Sequence, residues 1–353
     1  CHSESFALCH SEGAKRPKNL AQDKFRESMK KLSIGKIRGL QQLANDRSIM
    51  TMCALDHRGS LKKMLGENRL DLVSYQDMVD FKLDLCQILA PHTSAILLDP
   101  IYGAGQAIAA GILPKSTGLL VSLEKSGYSG EAEARITELL PDWNVKKIKK
   151  MGATAAKLLL YYRPDSNVAG KQLNTVKKLA EDCLTEDIPF VVEPMNYKVG
   201  EAENSLENFA KVKPRLVVET AKQITSLPID VLKAEFPADL EYEKDENRLL
   251  DLCHQLDEAS QVPWVILSAG VNFDLFYKQV EIACQAGASG FLAGRALWQE
   301  AAQIDSWQER LKFLETTVVK RLESLTELAN AYATPWHTKL EANKVDENWY
   351  RAY

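Results

Sequence analysis

Two lysines, Lys157 and Lys233, stand inside apolar runs rather than in the polar stretches beside them: Ala155-Ala156-Lys157-Leu158-Leu159-Leu160-Tyr161 and Asp230-Val231-Leu232-Lys233-Ala234. Lysine is almost never fully buried without a partner or a task. If the runs are strands, alternation puts Val231, Lys233 and Glu235 on one face, and Lys157, Leu159 and Tyr161 on one face of the other strand. Where two such faces share a cavity, like charge and desolvation both disfavour protonation, and one amine is then free near neutral pH. A free amine adds to a carbonyl carbon and loses water to form a Schiff base. The competing reading is simple ion pairing of each lysine with a carboxylate such as Glu193 or Asp56, and the pattern alone admits both.

Further polar residues close the apolar runs: Asp56, Asp99, Glu124, Glu193, Ser268 and the pair Gly294-Arg295. Two of these ends share a composition suited to an anion, Leu267-Ser268-Ala269-Gly270-Val271 and Ala293-Gly294-Arg295-Ala296. Small residues let backbone N–H groups approach a phosphate, a following helix adds its positive end, and the Arg295 guanidinium adds charge. A structural ion pair of Arg295 with Glu300 is the alternative.

These residues need a scaffold that gathers strand ends. Eight short apolar runs follow one another: 49–55, 95–98, 118–123, 155–161, 189–192, 230–234, 264–267 and 290–293. Segments of helical period separate them, among them 75–89, 173–186, 214–225, 246–260 and 273–286. Near-continuous apolar strands alternating with helices mark a parallel sheet buried on both faces. Eight units predict an α/β fold of the (β/α)8 (TIM) barrel type, whose active sites lie at the C-terminal strand ends. An open doubly wound sheet normally carries a glycine-rich turn after its first strand, and here that turn reads Leu55-Asp56-His57-Arg58-Gly59. A helical pattern over 305–332 and a tail from Pro335, expected to pack on the barrel or a neighbour, complete the chain.

A length of 353 residues is compatible with one barrel, which spans roughly 200 to over 400 residues. Residues 1–22 are polar, aperiodic and contain Cys-His-Ser-Glu twice, at Cys1 and Cys9, so they read as a mobile N-terminal extension to a single barrel domain over 23–353. The net charge of -4 supplies no broad basic field for nucleic acid or an anionic membrane. No apolar run approaches the roughly 20 residues of a membrane span, and no secretory signal is read in the first thirty positions. Seven cysteines, odd in number and scattered, suit a reducing cytoplasm. The six histidines, His2, His10, His57, His92, His254 and His337, form no strand-end cluster, so no metal and no other cofactor is expected.

Six segments, in order, resemble the class I tagatose 1,6-bisphosphate aldolase family, which includes the sulfofructosephosphate aldolases: residues 54–59, 157–162, 192–194, 230–235, 267–271 and 290–296. The likeness runs from about Gly39 to Leu340. It implies that Lys233 forms the imine, that Glu193 is the acid/base carboxylate, and that Asp56 and Lys157 are polar partners at the reacting carbons. Ser268, Gly270, Gly294 and Arg295 would hold the phosphate of the dihydroxyacetone phosphate half. His57 stands where the family's tagatose enzymes usually have Gln, so His57 and Arg58 are candidate substrate contacts, with a hydrogen-bonded loop role as the alternative for His57. Residues 204–213 and 334–336 resemble the tagatose branch, whereas 263–268 and 286–290 resemble the sulfosugar branch. The implied reaction is cleavage of a phosphorylated ketose, tagatose 1,6-bisphosphate first and 6-deoxy-6-sulfofructose 1-phosphate as the alternative, by a protein expected to self-associate. A sugar-phosphate sensor that has lost turnover is the non-enzymatic reading, and the intact set of Lys233, Glu193 and Asp56 speaks against it.

Overall fold

In a computed structural model, which describes residues 29–67, 70–351 and 353, the eight apolar runs form one closed, wholly parallel barrel. The staves are β1 (Met50–Leu55), β2 (Ala95–Leu98), β3 (Gly118–Ser122), β4 (Ala155–Tyr161), β5 (Phe190–Met195), β6 (Val231–Ala234), β7 (Trp264–Leu267) and β8 (Gly290–Ala293). Every residue of β1, β2, β3, β6, β7 and β8 is buried, because side chains fill the barrel on one face and meet the helices on the other. The ring closes by pairing Met50 with Gly290 and Cys53 with Ala293. Gly290 is required at that seam: its φ is +128° and a Cβ would lie 2.1 Å from the Met50 carbonyl oxygen.

The helices lie where the periodicity places them, with informative differences at the ends. Tyr75–Leu89 begins at a reciprocal Ser74–Asp77 capping box. The segment expected from Leu173 starts at Ala169 and ends at Thr185. The one expected from Pro214 starts at Leu206 and runs to Thr225, with Pro214 inside it; the Ser205 side chain accepts from the Asn208 N–H and caps the true start. The long C-terminal pattern divides into Trp307–Phe313, a π-helical turn Leu314–Val318, and Val319–Tyr332. Strand β5 continues three residues beyond the apolar run, through Glu193, Pro194 and Met195.

Before the barrel, Lys30–Leu32 forms a short strand that pairs in parallel with Leu340–Ala342 of the tail. The tail therefore packs on this chain, with Trp336 buried and the Lys339 ammonium donating to Asp257 and to the Ser260 carbonyl. A fully buried pair, Lys36 Nζ to Asp230 Oδ2 at 2.7 Å, ties the helix Ile34–Leu43 to the start of β6. The expected extension over residues 1–22 lies outside the described residues. Among the described residues, no helix is long and apolar enough to cross a membrane.

Candidate active site

At the C-terminal end of the barrel, a cavity of about 460 Å³ is lined by Asp56, Glu193, Lys233, Ser268, Gly294 and Arg295, together with His57 and Arg58. Strand register produces this convergence. Glu193 sits beside Leu159 in the β4–β5 ladder, and Lys233 beside Val265 in β6–β7, so alternate residues of neighbouring strands reach the same interior.

Glu193 joins the two lysines. Its Oε1 lies 2.7 Å from Lys233 Nζ and its Oε2 lies 2.7 Å from Lys157 Nζ. Lys157 also donates to Asp56 Oδ2 at 2.7 Å and to Glu124 Oε1 at 3.3 Å. The second oxygen of Glu124 accepts from the Leu159 N–H at 2.9 Å. Both lysines are thus ion-paired, but unequally. Lys157 is fully buried beneath the cavity among three carboxylates, whereas Lys233 meets one carboxylate and opens onto the cavity.

The charge balance differs from mutual repulsion of two ammoniums. Burial alone would lower the Lys157 ammonium, but Asp56, Glu124 and Glu193 outweigh it and hold Lys157 well above the usual lysine range. Burial likewise opposes ionisation of Glu193 and Asp56; Lys157, then Lys233, hold both below the usual carboxylate range. Lys157 is a fixed counter-charge, so of the two amines Lys233 is the one placed to meet a carbonyl.

On the β7–β8 side, Ala269 and Gly270 both have positive φ, +48° and +83°, which turns this short loop under the Arg295 side chain. Gly270 does not line the cavity; a Cβ there would lie 3.0 Å from Arg295 Cζ, so its smallness seats the guanidinium. Arg295 has no ion-pair partner among the described residues, and its buried Nε is without a hydrogen-bond partner. The alternative partner, Glu300, lies 2.8 Å from Arg321 instead. The helical contribution expected here is small, since Arg295–Trp298 is one turn and Asn272 already caps the helix Phe273–Gln285 by accepting from Leu275 N–H.

His57 packs edge-on against Trp298 at 5.2 Å and fills the space Gly294 leaves, a Cβ on Gly294 lying 2.7 Å from His57 Cε1. Its Nδ1 is buried without a hydrogen-bond partner and lies 3.8 Å from Asp56 Oδ1, so the hydrogen-bonded loop role is not what the geometry shows. Burial pushes the imidazole down to about 3 against the pull of Asp56, with Arg295 and Lys233 assisting. Arg58 donates Nη2 to the Glu124 carbonyl at 2.7 Å.

Asp99, also at a strand end, stands apart. Its carboxylate holds the buried Lys82 ammonium and accepts from the Ile101 and Tyr102 N–H groups. Lys82 also donates to the Leu55 carbonyl at 2.6 Å, so this pair braces the end of β1. Conversely, Lys63, Lys125 and Ser126 line the cavity without any sequence signal, because loop residues carry no periodicity. Glu124 was visible as a strand end, but its grip on Lys157 was not. Among the described residues no group of three or more His, Cys, Asp or Glu is placed to hold a metal ion.

A family model described as DeoC/LacD family aldolase matches residues 50–300. The chain is 34% identical over 332 residues to tagatose 1,6-diphosphate aldolase 1 of Enterococcus faecalis, covering 89% of this chain and 100% of that one. It is 33% identical over 322 residues to tagatose 1,6-diphosphate aldolases of Staphylococcus aureus, covering 85% and 97%. Among solved structures, an archaeal fructose 1,6-bisphosphate aldolase superposes with a TM-score of 0.57 at 18% identity, covering 83% of this chain and 98% of that one. A fructose-bisphosphate aldolase from Plasmodium falciparum does so with a TM-score of 0.67 at 15% identity, covering 87% and 99%. These two likenesses concern the fold.

Proposed function

The chain belongs to the DeoC/LacD aldolase family, and from that premise we propose that it is a class I aldolase cleaving tagatose 1,6-bisphosphate to dihydroxyacetone phosphate and glyceraldehyde 3-phosphate. The observation that carries the reading is the placement of Lys233: an amine at the cavity wall, bonded among the described residues to a single carboxylate, in the same cavity as an arginine that has no ion-pair partner among them.

Lys233 passes a proton to Glu193 across their hydrogen bond, and the freed amine adds to C2 of the ketose. Glu193 returns the proton to the C2 hydroxyl, which leaves as water, and a protonated imine remains. Removal of the C4 hydroxyl proton by Glu193 sends the C3–C4 electrons into that imine, releasing the aldehyde and leaving an enamine. Protonation at C3 and addition of water free dihydroxyacetone phosphate and regenerate Lys233. Asp56, kept ionised, holds a substrate hydroxyl. Lys157 works through Asp56 and Glu193 rather than by touching substrate, which makes it a positioning residue. Arg295, Ser268 and the Gly294 backbone hold the 1-phosphate.

Steady-state kcat/KM for tagatose 1,6-bisphosphate, fructose 1,6-bisphosphate and 6-deoxy-6-sulfofructose 1-phosphate tests the assignment. The first should be turned over at least as well as the others, and in the presence of EDTA. A clear preference for the sulfonate would move the protein to the other branch, and phosphate-dependent binding without turnover of any of them would make it a sensor.

A further inference from the structure

The cavity has a second wall that the chemistry above leaves unused. The anion loops follow β7 and β8, whereas the loop after β3 lies four strands round an eight-strand ring from β7, on the opposite side of Lys233. That loop contributes Lys125, Ser126 and Gly127, and the segment after β1 contributes Arg58, Ser60 and Lys63. Two of the three cations are engaged: Arg58 with the Glu124 carbonyl, and Lys125 with Glu138 at 3.1 Å. Lys63 has no hydrogen-bond or ion-pair partner among the described residues and reaches the cavity from the helix Gly59–Leu65. Ser126 Oγ accepts from the Gly59 N–H at 3.2 Å, which leaves its O–H proton to donate.

This wall is braced. After β3 the chain doubles back through bridges of Glu124 with Leu139 and Ser129 with Ile136. The Arg135 guanidinium lies over the rings of Tyr128, Tyr197 and Tyr161 at 4.6, 5.0 and 5.9 Å. The Tyr161 N–H donates to Thr137 Oγ1 at 2.8 Å. Stacking of one cation on three rings, of which Tyr161 belongs to β4, braces the loop that carries Ser126.

We propose that Lys63 and Ser126 seat the substrate's distal phosphate, and that this pair selects phosphorylated over neutral aldehydes. The inference rests on the aldolase reading, which puts the ketose C2 at Lys233 and the 1-phosphate at Arg295. The rest of a six-carbon chain then extends from β7 across the cavity to the wall where the segment after β1, the strand beside β8, meets the loop after β3 through Gly59 and Ser126. A mobile ammonium and a hydroxyl suit a terminal phosphate, which arrives by rotation about the last C–O bond and needs no planar fork.

The test runs in the condensation direction, with dihydroxyacetone phosphate as donor and either glyceraldehyde 3-phosphate or glyceraldehyde as acceptor. Lys63→Ala and Ser126→Ala should each lower kcat/KM for the phosphorylated acceptor by about 10- to 100-fold, the range for a hydrogen bond to a charged group. The value for glyceraldehyde should stay unchanged, and Lys63→Arg should recover part of the loss. Equal losses with both acceptors, or no loss with either, would overturn the assignment. Borohydride trapping of dihydroxyacetone phosphate on Lys233 in the same variants separates the two levels: an adduct without acceptor discrimination defeats this inference alone, and no adduct even in the parent protein defeats it together with the aldolase reading.

Discussion

Lys233 and Glu193 share one hydrogen bond, 2.7 Å from Nζ to Oε1, while the other Glu193 oxygen is held by Lys157 at 2.7 Å. The proton acceptor next to the amine is therefore fixed in place by a second, permanently charged lysine. Glu193→Gln keeps the shape and removes the proton transfer. It should lower kcat by about 10²- to 10⁴-fold, the usual worth of a positioned acid/base, with the far-ultraviolet circular dichroism spectrum retained. A kcat within a few-fold of the parent would remove Glu193 from the proton path.

Lys157→Met takes from Asp56, Glu124 and Glu193 the one ammonium that all three share. Removing one member of a buried ionic cluster costs about 3 to 5 kcal/mol, so the variant should denature earlier in urea. With the countercharge gone the carboxylates protonate more readily, and the acid limb of the kcat/KM profile should move to higher pH. A merely structural lysine would lower stability and leave that limb where it was.

Arg295→Ala should weaken transition-state binding by about 2 to 4 kcal/mol for a 1-phosphorylated ketose, and much less for a substrate lacking that phosphate. Gly270→Ala should follow in the same direction, because its φ of +83° strains any side chain and the new Cβ, 3.0 Å from Arg295 Cζ, displaces the guanidinium. Comparing kcat/KM for the two substrates checks both variants, and equal losses would return Arg295 to the scaffold.

His57 gives a pH signature in stability. With its folded value pushed down to about 3 against an unfolded value near 6.5, the native state binds fewer protons than the unfolded state between these limits. Stability therefore rises with pH across that window and is lost as pH falls through it. His57→Gln removes the term and should flatten the dependence, a difference of up to about 2 kcal/mol near pH 5. Urea midpoints at pH 5 and 7.5 measure it, and parallel curves for the two proteins would contradict the burial of a neutral imidazole. Asp56 and Glu193, both lowered in the fold, act in the same sense at more acid pH.

Much of the scaffold was legible because parallel barrel strands are buried on both faces and so read as plain apolar runs. The edges were not. Strand β5 outran its apolar run because Glu193 and Met195 line the cavity and break the apolar pattern. The helix Leu206–Thr225 begins before its internal Pro214, at a Ser205 cap that the apolar period does not reveal. Asp56, Glu193, Lys233, Ser268, Gly294 and Arg295 were legible as polar residues at strand ends, and they share a cavity. Asp99 met the same criterion and belongs elsewhere, since its partner Lys82 lies on a helix whose orientation no strand pattern reveals. The ionic role of Lys157 also required three dimensions: only there does one lysine gather carboxylates from three different strand ends.

The central claim is that Lys233, not Lys157, is the covalent amine. Incubation with dihydroxyacetone phosphate and sodium borohydride, followed by proteolysis and mass spectrometry of the reduced adduct, tests it directly. The triose should appear on the peptide containing Lys233, disappear in Lys233→Met, and persist there in Lys157→Met. An adduct on Lys157, or one that survives in Lys233→Met, would contradict the assignment.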